Sequence, residues 1–484
     1  MTDALALVCV VPFLIGTGGL ICRRGARLKA LLAAGTGIDL LLAVAAELRG
    51  GGLPAGGLLR LDPLAAILLA VVAGVGALAT ADSCLLWRAE LDPARPTGLP
   101  VRMYFFWQQA FVGSLLAAAL SANLGLSWMA IELTTVTSAV LVGFDGRARA
   151  VEAAWKYVIL CSVGLALALL TVVVLYALSG GGGLHALGWT ALTRAAAGFP
   201  AGPAKLAFLF ALVGFGTKAG LAPLHPWLPD AHSEAPAPVS ALLSGVLLAV
   251  VLCTLVRIAN VTALATGSAF PDRLLLGAGL LSVAVATPFM VVQEDLKRLL
   301  AYSSIEQVGL MAVGFGLHVP LAVDAAILQV VVHALTKSGL FFAAGHMIHE
   351  VGSQRLARLK GLGRRAPLLG AALFVGVLTL GGLPPFGMFF TELAIVQGTL
   401  AANIALGLVL LALLVGIFGG LAYYAGNAVF GRSSGGVAAR PGATVAAVLG
   451  VPAVLSVVVG FWTPSALARG ISAAAALLLG GHAL

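Results

Sequence analysis

Five ionisable side chains sit inside otherwise apolar runs of this sequence: Glu132, Lys218, His333, Lys337 and Glu392. They supply a carboxylate, an amine, an imidazole–amine pair and a second carboxylate. His333 and Lys337 are four residues apart, the spacing that puts both on one helix face. Each group can hold and release a proton, and a row of them joined by water is what a proton relay requires. Moving one charge in such a row changes the proton affinity of its neighbour. The plain structural alternative is a buried Glu–Lys pair that locks two helices together. One such lock is ordinary. Several intramembrane charges, each costing about 3 kcal/mol on insertion scales, argue for use rather than fastening. Secondary candidates are His225, His232 and Glu234 near a helix break, Glu306 in a run of its own, and Lys156 near the start of another. Lys156 and Arg257 stand close to the ends of their runs and are expected to snorkel to the membrane surface. No metal site is expected, because His346 and His349 have only Glu350 as an evident partner.

The elements that must position these groups follow from composition. The chain has 484 residues, of which 60% are hydrophobic and 10% charged, and its mean hydropathy is +1.06. A soluble domain is about 25% charged. The chain reads as an all-α polytopic membrane protein with about fourteen apolar runs of spanning length, roughly 20 residues each. These runs leave no room for a sizeable soluble domain, and the alternation of a membrane barrel is absent. The net charge of +9 sits mostly in loops and is not a nucleic-acid signal. The five cysteines, Cys9, Cys22, Cys84, Cys161 and Cys253, form no CxxC, which argues against a cluster site or a disulfide framework. The N-terminus has no basic region before its apolar run and reads as a retained first span.

Residues 208–245 read FLFALVGFGTKAGLAPLHPWLPDAHSEAPAPVSALLSG. An apolar helix carries Lys218 and is then broken by Pro223 and Pro226. Broken helices at membrane depth are tolerated only against protein or a cavity, and they mark ion pathways in transporters. A second break, Gly381-Gly382-Leu383-Pro384-Pro385, lies shortly before Glu392. The two breaks fall in the same place within spans 4–8 and 9–13, in spans 7 and 12. This predicts two inverted five-helix repeats with functional sites at the breaks. The expected organisation is N-terminal helices 1–3 in residues 1–100 and a first half-channel repeat in 101–262. A second repeat follows in 263–432, then helix 14 and a tail in 433–484. The tail could lie in the interface. Loop cations orient the bundle. Arg23, Arg24, Arg27 and Lys29, and again Arg355, Arg358, Lys360, Arg364 and Arg365, lie in odd-numbered connections. Even-numbered connections hold only Arg49, Arg60, Arg194, Lys205 and Arg273. The positive-inside rule places the odd loops in the cytoplasm and both termini outside.

Several stretches carry a family resemblance: TKAGLAPLHPWLPDAHSEAPAPVSALLSG, EDLKRLLAYSSIEQVGLM, HALTKSGLFFAAGHMIH and GGLPPFGMFFTE. The chain resembles the antiporter-like, proton-translocating subunits of respiratory complex I, Mrp-type cation/proton antiporters and group 4 membrane-bound hydrogenases. EAAWKYVILCSVGLALAL and the SSIE ending at Glu306 look like the hydrogenase-4 component F branch. The resemblance implies that Glu132 and Lys218 form the Glu–Lys pair of the first half-channel. It implies that His333 and Lys337 make the central link and that Glu392 opens to the outside. It also implies a bacterial or archaeal cytoplasmic membrane, further antiporter-like and small helical subunits, and a peripheral oxidoreductase module. That module, not this chain, would hold the [NiFe] centre and iron–sulfur clusters. The alternatives are a subunit of an Mrp-type Na⁺/H⁺ antiporter or of a complex I-type quinone oxidoreductase. One departure stands out: Ser244 and Ala249 occupy the places in span 8 where relatives often carry a lysine or histidine.

Overall fold

A computed structural model describes residues 2–48, 57–92, 96–432 and 442–480. Arg49, counted among the loop cations, and the last four residues of the tail lie outside these. Among the described residues the chain is helical, with only isolated bridges of extended backbone. Ten helices are long and apolar enough to cross a membrane, which makes this a multi-pass membrane protein. The apolar helices Leu5–Ile21, Pro367–Leu380, Gly387–Ala402 and Ser465–Leu478 are shorter. Surfaces turned away from the protein are apolar, as lipid requires. On the Ala148–Leu178 helix, for example, Trp155, Ile159 and Val163 are exposed at successive turns.

The chain forms two compact units, residues 1–219 with 246–271 and 470–484, and residues 220–245 with 272–469. In the first unit, three helices matter most for function: Leu124–Val142, Ala148–Leu178 and Ala201–Ala219. Asn123 caps the first of them through the backbone N–H groups of Gly125 and Leu126. Trp128 Nε1 donates to the Leu165 carbonyl at 2.8 Å, and Thr171 Oγ1 donates to the Ala207 carbonyl at 3.0 Å, so the three helices are tied side by side. The last two approach very closely. A Cβ placed on Gly214 would stand 2.5 Å from the Ala168 nitrogen, so only glycine fits this crossing. That approach sets the position of Lys218, one turn further on.

The second unit is built on the Leu296–Gly316 and Pro320–Val351 helices, with Gly387–Ala402 against the latter. The short Trp227–Glu234 helix and the start of the Ala237–Thr266 helix complete it. Both proline-rich breaks fall in this unit. At the first, the freed backbone N–H of Ala222 is satisfied by Ser282 Oγ at 2.8 Å. At the second, Gly382 has φ +64° and separates Pro367–Leu380 from Gly387–Ala402. The Ala237–Thr266 helix contains a π-helical turn at Leu243–Leu247 that includes Ser244.

Gly214→Leu drives a side chain into Ala168. We expect a loss of about 1–3 kcal/mol in stability, the usual cost of overpacking, read as a lowered melting temperature of the detergent-solubilised protein. An unchanged melting temperature would show that the two helices do not depend on this crossing.

Candidate functional site

Lys218 occupies the last turn of the Ala201–Ala219 helix and is fully buried. Its Nζ donates to Thr135 Oγ1 at 2.8 Å and to the Tyr157 hydroxyl, and it lies 4.4 Å from the centre of the Tyr157 ring. Tyr157 in turn is hydrogen-bonded to Ser138 Oγ at 2.7 Å. Thr135 and Ser138 are three apart on the Leu124–Val142 helix, and Glu132 stands one turn before Thr135. Glu132 is half-buried and its Oε2 has no hydrogen-bond partner. No ion pair within 4 Å joins it to Lys218 among the described residues. The pair expected from resemblance is therefore open in this structure. Lys218 rests on neutral hydroxyls, and Glu132 is a nearby carboxylate with unused acceptor capacity. An amine held by hydroxyls can lose or gain a proton without stranding a bonded counter-charge, which a closed ion pair cannot do.

The second cluster has the same character. Lys337 is fully buried, and its Nζ donates to the Leu300 carbonyl at 2.7 Å and to Ser303 Oγ. Glu306, one turn beyond Ser303, is also fully buried, with Oε2 unpartnered. The Gln307 amide donates to Glu306 Oε1 at 3.1 Å and to Glu392 Oε1 at 2.9 Å, bridging the two carboxylates. Gln329 Nε2 donates back to Gln307 Oε1, and Thr391 Oγ1 donates to Gln329 Oε1. The two carboxylates thus share one donor, and a negative charge on either opposes a negative charge on the other. A Cβ at Gly382 would overlap the Glu392 carboxylate. The left-handed glycine of the break therefore both turns the chain and makes room for this group.

His333 lies one turn before Lys337 and is fully buried. Its Nε2 is 3.2 Å from the Ser244 carbonyl, and its Nδ1 has no partner. Ser244 Oγ meets Ser304 Oγ at 2.6 Å. Ser244 in the π-helical turn, its carbonyl and its partner Ser304 on the Leu296–Gly316 helix thus occupy the place where relatives often carry an ionisable side chain. His232 is also fully buried, with Nδ1 2.8 Å from the Leu228 carbonyl, Nε2 unpartnered, and its ring between Trp227 and Phe341. His225 is half-buried with Nδ1 unpartnered, and Glu234 is half-buried. Lys156 is exposed and paired with Glu152 at 2.7 Å, outside both clusters. Arg257 does not snorkel. It is drawn inward to Asp62 at 2.7 Å, because a buried carboxylate at the end of another helix offers it a better partner than water.

Sequence reasoning concentrated on charges and passed over Thr135, Ser138, Tyr157, Ser303, Gln307, Gln329 and Thr391. A signal existed. Thr135 lies three residues after Glu132, Gln329 four before His333, and Gln307 and Thr391 adjoin Glu306 and Glu392. Hydroxyls and amides one helical turn from an intramembrane charge can supply its hydrogen bonds.

The family described as NADH:quinone oxidoreductase/Mrp antiporter, transmembrane, matches residues 121–418, the part of the chain that holds both clusters. The chain belongs to that family. It is 40% identical over 334 residues to a hydrogenase-4 component F homolog of Methylacidiphilum infernorum, covering 66% of this chain and 69% of that protein. It is 34% identical over 351 residues to NADH-quinone oxidoreductase subunit N of Desulforudis audaxviator, covering 71% and 67%. A chain of the membrane-bound sulfane sulfur reductase, an archaeal respiratory membrane complex, superposes with a TM-score of 0.88 over 99% of this chain and 98% of its own. At 23% identity that likeness concerns the fold. Within the region that matches the family, this chain thus holds two fully buried lysines, Lys218 and Lys337, on neutral oxygens.

Tyr157→Phe removes one of the two acceptors of Lys218 while keeping the ring. Losing a hydrogen bond to a charged donor costs about 1.5–3 kcal/mol. We expect proton flux in reconstituted vesicles to fall about tenfold or more, with assembly intact. Unchanged flux would mean that the hydroxyl does not take part. Gln307→Leu removes the amide shared by Glu306 and Glu392 and should lower flux as well, with Gln307→Glu failing to restore it. A wild-type rate in the leucine variant would dismiss the amide bridge.

Proposed function

We propose that this chain is a proton-translocating, antiporter-like membrane subunit of a redox-driven complex, of the hydrogenase-4 or formate hydrogenlyase type. The observation that carries the reading is the pair of fully buried lysines, Lys218 and Lys337, each held by neutral oxygens and each accompanied by a carboxylate with unpartnered oxygen. Groups of this kind are costly in a membrane bundle, and that cost is typically borne where charge is moved. Residues 101–262 would serve as one half-channel, with Glu132 and Lys218, and residues 263–432 as the other, with His333 and Lys337 as the central link and Glu392 at its end. Glu392, beside the second break, is the group we assign to the exit. The hydrogenase setting is supported by the 40% identity to a hydrogenase-4 component F homolog.

We further propose fourteen spans in two inverted five-helix repeats and a location in the bacterial or archaeal cytoplasmic membrane, with both termini outside. The partners are other antiporter-like and small helical subunits and a peripheral oxidoreductase module that holds the [NiFe] centre and iron–sulfur clusters. This chain contributes no redox chemistry of its own. A second reading, as a subunit of a complex I-type quinone oxidoreductase, is favoured by the 34% identity to a subunit N. An Mrp-type Na⁺/H⁺ antiporter is the third setting, named in the family's own description.

Lys218→Ala is expected to abolish or strongly reduce coupled proton transport while the complex still assembles. Undiminished pumping would leave Lys218 a structural charge and end the relay reading. Purification of the tagged protein in mild detergent, with mass spectrometry and metal analysis, separates the settings. Nickel with iron–sulfur proteins supports the hydrogenase complex. Small membrane partners without nickel or iron would move the assignment to an antiporter.

A further inference from the structure

A cavity of about 440 Å³ lies in the first unit, away from the Lys218 cluster. Its floor is the Asp62–Arg257 ion pair. Asp62 Oδ1 accepts from Arg257 Nη2 at 2.7 Å and from the backbone N–H of Ala65 at 2.9 Å, capping the Pro63–Leu86 helix. The Arg257 guanidinium lies 5.7 Å from the centre of the Trp189 ring. Asp62 is buried and Arg257 partly so, with side-chain exposures of 4% and 11%. Two further arginines line the cavity. Arg60 donates to Thr190 Oγ1, and Arg194 is exposed at the rim.

Charge and shape together define what fits. Asp62 is the one carboxylate among the described lining residues, and Arg257 already answers it. Arg60 and Arg194 therefore leave the cavity with two positive charges unmatched by any lining carboxylate. Asn260 and the hydroxyls of Thr190 and Thr193 add neutral hydrogen-bonding groups. Leu264, Leu477 and Leu478 make the rest of the wall apolar, and Asn260 Nδ2 fixes the tail helix there by donating to the Leu477 carbonyl at 3.2 Å. The volume is in the range of sites for small organic ligands. It is many times that of one water molecule, about 30 Å³, so a simple inorganic anion would leave it largely unfilled. A cavity with guanidinium forks, hydroxyl partners and a leucine wall, at the ends of membrane helices, suits an anion attached to a hydrocarbon chain. Guanidinium binds phosphate oxygens in bidentate fashion, and basic pockets among membrane helices are a known form of lipid headgroup site.

We propose that this cavity binds the phosphodiester headgroup of an anionic phospholipid, held by Arg60 and Arg194 and braced by the Asp62–Arg257 pair. The lipid fastens the tail helix Ser465–Leu478 to the end of the Ala237–Thr266 helix. The site is independent of the proton-translocation reading, since none of its residues belongs to either buried cluster.

The test uses the full-length protein in detergent. Titration with dioleoyl-phosphatidylglycerol, dioleoyl-phosphatidylcholine and inorganic phosphate is followed by native mass spectrometry and melting temperature. We expect phosphatidylglycerol to bind and stabilise, and phosphatidylcholine to do neither. In the Arg60→Gln/Arg194→Gln double variant, which leaves Asp62–Arg257 in place, affinity for phosphatidylglycerol should fall at least tenfold. Arg194→Gln alone changes an exposed side chain. It should weaken binding without lowering the melting temperature of the lipid-free protein, so a misfolded double variant does not decide the matter. Equal binding of the two lipids, or equal binding by wild type and both variants, overturns the proposal. Stabilisation by inorganic phosphate that is lost in the variants, with no preference for phosphatidylglycerol, would assign the site to a soluble phosphate and reject the lipid.

Discussion

The complete burial of the ammonium groups of Lys218 and Lys337 in apolar helical protein is the constraint on which the rest of the structure depends. Taking an amine out of water is tolerable only if its donors are met. Lys218 and Lys337 solve this in the same way. Each sits on one helix and finds its oxygens on others: Thr135 and Tyr157 for Lys218, the Leu300 carbonyl and Ser303 for Lys337. Supplying those oxygens fixes which helices must be neighbours and how closely they approach. The tight crossing at Gly214 serves that requirement, while the network of Gln307, Gln329 and Thr391 serves the carboxylates of Glu306 and Glu392.

Neutral partners matter for mechanism. A lysine locked to a carboxylate is a stable dipole with little reason to change state. A lysine on hydroxyls and carbonyls is stabilised enough to be accommodated, and its charge stays responsive to the carboxylate beyond. Glu132 and Glu306 each keep one oxygen without a protein partner. The amide of Gln307 couples Glu306 to Glu392 and makes their charges interdependent. Each unit thus places a fully buried lysine on neutral oxygens together with a carboxylate that has an unpartnered oxygen. The π-helical turn at Ser244 adds a backbone acceptor for His333, in keeping with the association of such turns with functional positions.

The breaks in the helices have a local chemical logic. Proline removes a donor, and glycine permits the turn. The groups left behind are then satisfied from elsewhere, as Ser282 does for the Ala222 N–H. Gly382 serves both purposes, turning the chain and leaving space for the Glu392 carboxylate. Arg257 and Asp62 show the complementary case, a closed and buried pair at the end of the helices that suits bracing rather than transfer.

By itself the sequence determined the class of structure and the addresses of its charges. Hydropathy together with the absence of strand-like alternation requires a bundle of membrane helices, since only helices and closed barrels satisfy their backbone in lipid. Proline and glycine marked both breaks, because their effect on the backbone is local. Lys218, Lys337, Glu306 and Glu392 were legible for the same reason: a charge in an apolar run is conspicuous wherever the run packs. Their partners were a matter of tertiary structure. Tyr157 lies 61 residues from Lys218, and Gln307 lies 85 from Glu392. Hydrogen bonds over such separations depend on helix crossings that no local pattern encodes. Only the folded chain decided that Glu132 stands apart from Lys218, that Arg257 turns inward to Asp62 rather than out to the surface, and that three arginines from distant segments surround one cavity.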